Sequence, residues 1–291
     1  MADDLIAYAS ADALTLVARR LSGPRDAVGT VLCLHGLTRN SRDFAGLAAE
    51  LRGRFHVLAP DQRGRGRSAY DPNPLNYNLL TQSQDMWALL DHCGVDKCVV
   101  VGTSMGALMA VVMANQNPDR IVALVLNDAG PEVDPKGVAR IRSYVGQAEP
   151  IKDWGAAAAA LKAVHGAALP TYGEDDWMRL ARATYVECGS GLRLDYDPAL
   201  AGVFAADSGA TPDMWPAFAV LGSIPTLVIR GALSDILSAE TVSEMERRFP
   251  NLTVATIADR GHAPDLTEPD ALTAIHAFLR LPQIETRWRA W

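Results

Sequence analysis

Lys97-Cys98-Val99-Val100-Val101-Gly102-Thr103-Ser104-Met105-Gly106-Ala107-Leu108-Met109-Ala110-Val111-Val112-Met113-Ala114-Asn115-Gln116 joins a short apolar run to a segment apolar almost all round, through the pattern G-x-S-x-G. The first run reads as a strand buried on both faces, the kind found in parallel sheets covered by helices. The second reads as a helix pressed against the middle of that sheet. The turn between them is so tight that side chains at 102 and 106 would collide with neighbouring backbone. It pushes the Ser104 hydroxyl out at the carboxyl end of the sheet and sets the Met105 N–H at a helix N-terminus, where it can face an oxyanion. Ser104 is therefore the candidate nucleophile.

Outward from this stretch the same alternation repeats. Thr30–Leu34 (TVLCL), Arg54–Ala59 (RFHVLA), Ile121–Leu126 (IVALVL), TLVIRG after Pro225 and LTVATIA from Leu252 read as further strands. Leu5–Ala9 and Ala13–Arg20 alternate and predict an antiparallel hairpin at the sheet edge. Leu79, Met86, Trp87 and Leu90 share one face of a helix ending at Gly94. Thr267-Glu268-Pro269-Asp270 predicts a helix start with a capping threonine and proline in the first turn. The pattern breaks at Gly130-Pro131, and 132–216 shows helical segments with no convincing buried strand. The expected layout is an α/β core of 1–131 and 217–291, with a mostly parallel eight-stranded sheet, helices on both faces and a helical cap inserted at 132–216 after the sixth strand.

The composition narrows the function classes. The chain has 291 residues, 49% of them hydrophobic, and a formal net charge of −7. The one basic cluster, Arg63, Arg65 and Arg67, is given a structural role, so no nucleic-acid partner is expected. No uninterrupted apolar stretch of about 18 residues occurs, and the acidic start MADDLIAYAS lacks a secretory pattern. Cys33, Cys93, Cys98 and Cys188 show no metal-ligand spacing. A cytoplasmic protein with reduced thiols, no metal, no membrane contact and a small-molecule substrate is expected; a homo-oligomer is compatible with the sequence.

Three loops at strand ends supply partners for Ser104. His262, in Asp259-Arg260-Gly261-His262, follows the last strand and is the candidate general base. Asp235 and Asp128 each lie just past a strand and keep the chain order Ser, Asp, His. Asp235 is preferred as the acid orienting the histidine, because its strand is expected nearer the His262 loop. Asp128 is the alternative, otherwise a hinge residue where the chain leaves the sheet. His35-Gly36-Leu37-Thr38 follows another strand, and Leu37 N–H is paired with Met105 N–H as oxyanion donors. His35 is read as shaping that loop through backbone bonds.

Together His35-Gly36, Asp61-Gln62-Arg63-Gly64-Arg65-Gly66-Arg67-Ser68, Gly102-Thr103-Ser104-Met105-Gly106, Pro118-Asp119-Arg120-Ile121, Arg230-Gly231 with Ser234-Asp235, and Gly261-His262 closely resemble the α/β-hydrolase family. The resemblance implies a cofactor-independent enzyme with Ser104, Asp235 and His262 as triad, Leu37 and Met105 as oxyanion donors, and a lid near 132–216. It implies cleavage of a carboxylic ester or lactone with a mainly apolar group. The alternatives are a carbon–carbon bond hydrolase of a ring-cleavage product, a perhydrolase and a ligand-sensing protein on the same fold. The DQRGRGRS segment looks like the family's structural D-x-R-G-x-G-x-S loop. Within the lid, Trp154 and Trp177 are candidate pocket residues among Tyr144, Tyr172, Met178, Tyr185, Phe204 and Trp215; His165 is placed at a solvated helix end. The lid carries 12 acidic residues and eight lysines and arginines, which argues against a polyanionic substrate, while Arg39 remains a candidate for gripping one carboxylate.

Overall fold

The computed structural model describes residues 4–146, 149–204 and 213–289, with Val203 and the expected pocket residue Phe204 described by backbone alone. The chain opens with β1 (Asp4–Ala9), β2 (Thr15–Leu21) and β3 (Thr30–Leu34), then α1 (Ala45–Leu51), β4 (His56–Asp61) and α2 (Leu79–His92). β5 (Cys98–Thr103), α3 (Met105–Gln116) and β6 (Ile121–Asn127) follow. Next come α4 (Pro135–Tyr144), α5 (Trp154–His165), α6 (Glu174–Thr184), β7 (Tyr185–Cys188), β8 (Gly191–Leu194) and the short α7 (Trp215–Phe218). β9 (Thr226–Gly231), α8 (Ala239–Arg248), β10 (Leu252–Ile257), α9 (Pro269–Phe278) and α10 (Pro282–Arg289) complete the chain.

Eight strands form one sheet in the order β1-β2-β4-β3-β5-β6-β9-β10. β1 pairs antiparallel with β2 and β2 with β4; the other neighbours are parallel. β3, β5 and β6 are buried along almost their whole length, as apolar runs covered on both faces must be. One core layer joins Leu32, Val100 and Leu124 to Met109 and Met113 of α3 and Met86 of α2. The opposite layer joins Val31, Val99 and Val125 to Leu47 of α1, Ile275 of α9 and Ile284 of α10. This covering fixes the carboxyl ends of the strands, where the chain emerges at Ser104, Asp128 and the loops after β9 and β10.

Two local expectations are corrected. The segment between β6 and β9 contains an antiparallel hairpin, β7 with β8, as well as its helices. Its strands have only four residues each, with burial that alternates imperfectly, so no apolar run announced them. The cap of α9 is Glu268 rather than Thr267, and Pro269 opens the helix. The Glu268 carboxylate instead accepts from Arg260 Nε (2.8 Å) and Asp265 N–H (2.9 Å), bracing the loop before the helix. The four cysteines are free, and Cys33 and Cys98 are buried in their strands.

Candidate active site

The β5–α3 turn holds Ser104 at φ 54°, ψ −119°, a left-handed conformation that a non-glycine residue adopts only where its surroundings enforce it. The glycines make this possible. A Cβ on Gly102 would lie 2.3 Å from the Gly106 carbonyl oxygen, and one on Gly106 would lie 2.1 Å from the Leu34 carbonyl oxygen. The Ser104 N–H donates to the Asn127 carbonyl (2.9 Å), tying the turn to the end of β6.

Ser104 Oγ lies 2.8 Å from His262 Nε2, and His262 Nδ1 lies 2.7 Å from Asp128 Oδ2. A carboxylate only accepts, so Nδ1 carries the proton and the Nε2 lone pair faces the serine hydroxyl. Asp128 is fully buried. It also accepts from Gly231 N–H (2.9 Å) and the Ser234 hydroxyl (2.6 Å). These donors hold its charge out of water and aim it at the imidazole. The expected acid, Asp235, is elsewhere. Its two oxygens take the Arg140 guanidinium at 2.6 and 2.8 Å, which holds its carboxyl below the usual carboxylate range and joins the loop after β9 to α4. The cause of this exchange is backbone geometry. Asp128 has φ 55° and swings across the end of β9, whereas the turn closed by Ser234 N–H on Gly231 O carries the next residue towards α4.

The His262 loop is pinned from three sides. Asn127 Nδ2 donates to the Pro264 carbonyl (2.8 Å), Gly261 N–H to the Ala168 carbonyl (2.6 Å), and Leu233 N–H to the Arg260 carbonyl (2.8 Å). Neither Asn127 nor Ala168 carries a sequence motif that would have marked it.

Leu37 and Met105 N–H groups have no acceptor among the described residues. Arg65 braces both carriers. It is fully buried, donates to the Leu37 carbonyl (2.9 Å), the Arg63 carbonyl (2.7 Å) and Gln82 Oε1 (2.8 Å), and reaches Met105 Sδ at 3.6 Å. Burial away from any carboxylate partner pulls its ionisation down to about 9, which leaves it charged at neutral pH. His35 shapes the same loop: Nδ1–H donates to the Gly36 carbonyl (2.8 Å) and Nε2 accepts from Gln62 N–H (3.0 Å). Burial pushes this imidazole down to about 4, so it is neutral. The rest of the arginine cluster is structural, with Arg63 bidentate on Asp85 (both 2.7 Å) and paired with Asp12 and Asp71.

Two cavities open on Ser104. The smaller, about 270 Å³, is lined by Met105, Leu108, Val133, Val138, Ile141 and Ile236 among others. The larger, about 530 Å³, is lined by His262, Arg39, Tyr144, His165 and Arg182 among others. Arg39 thus reaches the site, though Asp43 grips it (2.8 and 2.6 Å) and it donates to Thr184 Oγ1. Trp154 and Trp177, expected in the pocket, line neither cavity. They pack with Leu161, Ala181 and Leu192 in a separate core of the inserted segment, Trp177 against Tyr172 at 5.0 Å between ring centres. His165, expected in solvent, faces the larger cavity beside Tyr144, their ring centres 5.5 Å apart. Burial, with Arg39 and Arg140 nearby, pushes it down to about 4.

A family model described as alpha/beta hydrolase fold matches residues 29–269. A 3-hydroxybutyrate-oligomer hydrolase from Cupriavidus necator is 35% identical over 257 residues, covering 85% of this chain and 87% of its own. A 2-(acetamidomethylene)succinate hydrolase from Mesorhizobium japonicum is 28% identical over 256 residues, covering 86% and 87%. The crystal structure of an alpha/beta hydrolase from Novosphingobium aromaticivorans aligns with a TM-score of 0.90 at 44% identity, covering 96% of this chain and 99% of that one.

Proposed function

This chain belongs to the α/β-hydrolase fold family, and from that premise we propose that it is a serine hydrolase of carboxylic esters acting through an acyl-enzyme, with Ser104, His262 and Asp128 as its triad. The observation that carries the reading is the continuous bond chain from Asp128 to His262 to Ser104, at 2.7 and 2.8 Å.

Ser104 attacks the ester carbonyl as His262 takes its proton; Asp128 keeps the imidazole in the productive tautomer and offsets the charge it gains. The oxyanion is held by the N–H groups of Leu37 and Met105, each donor of this kind contributing about 3 kcal/mol. His262 returns the proton to the departing alcohol, and water then attacks the acyl-enzyme with His262 again as base. The segment between β6 and β9 serves as the lid, since α4 and α5 supply Val138, Ile141, Tyr144 and His165 to the two cavities. Support for an ester also comes from the Cupriavidus relative, because oligomers of a hydroxy acid are joined by ester bonds.

The test is turnover of p-nitrophenyl esters of rising acyl length by the wild type and Ser104→Ala. Ester turnover that falls by at least about a thousandfold in Ser104→Ala is expected. A Ser104→Ala enzyme as active as wild type would sink the proposal.

A further inference from the structure

The two cavities differ in which catalytic group they face. His262 lines only the larger one and Met105 only the smaller, while Ser104 and Leu37 line both. On the serine-hydrolase reading, which this inference rests on, His262 Nε2 must hand its proton to the departing alcohol oxygen. The alcohol part therefore lies in the cavity that His262 lines, and the acyl part extends into the other. The walls then say what each part is. The acyl cavity is bounded by Leu108, Val133, Val138, Ile141 and Ile236 and carries an apolar group.

The alcohol cavity is lined by five arginines against two aspartates, Asp43 and Asp265, although the inserted segment as a whole is acidic. Most of these arginines are held by partners: Arg39 by Asp43, Arg42 by Asp195 (2.7 Å), Arg179 by Asp176 (2.7 Å), and Arg19 by Ser41 (3.0 Å). Arg182 differs. Among the described residues it has no carboxylate partner, and its guanidinium lies over the Trp154 ring at 4.8 Å. The stacking fixes the group and leaves its edge N–H donors available, the form in which arginine takes a carboxylate. Asp265 accepts from the Tyr172 hydroxyl, and burial raises its carboxyl above the usual range.

We propose that the substrate is an ester made through the hydroxyl of a hydroxy acid, its acyl group in the apolar cavity and its free carboxylate held at Arg182. In the first step the Ser104 Oγ–acyl carbon bond forms, the bond from that carbon to the alcohol oxygen breaks, and the alcohol leaves with the proton from His262. Water then yields the acyl acid and regenerates Ser104.

The experiment compares three butyryl or matched esters in wild type and Arg182→Gln: 3-(butyryloxy)propanoate, its primary amide, and monoethyl succinate, which carries its acid on the acyl side. Wild type is expected to favour the carboxylate over the amide by about tenfold in kcat/KM, mainly through KM. In Arg182→Gln the ratio should drop below about threefold. Val138→Phe should shorten the preferred acyl chain and leave the carboxylate preference intact. Equal rates for acid and amide beside normal Ser104-dependent p-nitrophenyl butyrate turnover would overturn this inference alone. A preference for monoethyl succinate would overturn the assignment of the two cavities. An undiminished carboxylate preference in Arg182→Gln would overturn the role of that residue. Loss of all ester turnover by the wild type would instead bring down the hydrolase reading, and this inference with it.

Discussion

Asp128 Oδ2 and His262 Nδ1 lie 2.7 Å apart across the carboxyl end of the sheet, joining β6 to the loop after β10 past the intervening β9. Asp235, on the loop of that intervening strand, is turned to Arg140 instead. Asn at position 128 would place an amide where the imidazole needs an acceptor. Asp128→Asn is expected to lower kcat by about ten-thousand-fold. Asp235→Asn removes a partly exposed ion pair, costing about 1 kcal/mol or less of stability with kcat largely kept. Steady-state kinetics on both variants, with a thermal melt for each, checks this pair.

Arg65 spans the two residues proposed as oxyanion donors, through the Leu37 carbonyl and the Met105 sulfur. Lysine keeps the charge but not the fork that meets several acceptors at once. Arg65→Lys should lower kcat by about tenfold or more with a smaller change in KM, because a loosened donor is felt mostly in the transition state. An unchanged kcat would show that the loop holds its shape without the guanidinium.

His35 and His165 are both pushed down to about 4 by burial, from the ordinary 6.5. Between those values the unfolded chain binds protons that the folded chain refuses. The stability these residues contribute is full above pH 6.5 and is lost as the pH falls towards 4, by at most about 1.4 kcal/mol per pH unit for each. Urea midpoints measured from pH 7 to pH 5 should fall. His165→Asn should shallow that slope, and an identical slope in the variant would contradict the assignment.

The strands of the parallel sheet were legible because burial on both faces demands near-continuous apolar runs such as Val99–Val101 and Ile121–Leu126. The meeting of Ser104 with His262 was legible because the glycines around the first and the strand-end position of the second constrain them strongly. The carboxylate that meets His262 was not. Two aspartates stood at the ends of adjacent strands, and the choice depended on a backbone φ of 55° at Asp128, which has no local sequence signal, and on Gly231 and Ser234 donating to Asp128 although their motif runs directly into Asp235. The pocket tryptophans failed for a related reason, while Tyr144 and Tyr172 do line the larger cavity. Trp154 and Trp177 satisfy the inserted segment's own small core, which any segment with several helices must build. The cavity charge was hidden by averaging, since an acidic insertion still turns Arg179 and Arg182 of α6 towards the site.

The most direct test is covalent. A fluorophosphonate incubated with the wild type, followed by mass spectrometry of the digest, should place one adduct on the peptide containing Ser104. Ser104→Ala should stay unlabelled, and His262→Ala, shown folded by circular dichroism, should label far more slowly. A folded wild-type protein that takes no label, or takes it at another residue, would mean that Ser104 is not an activated nucleophile.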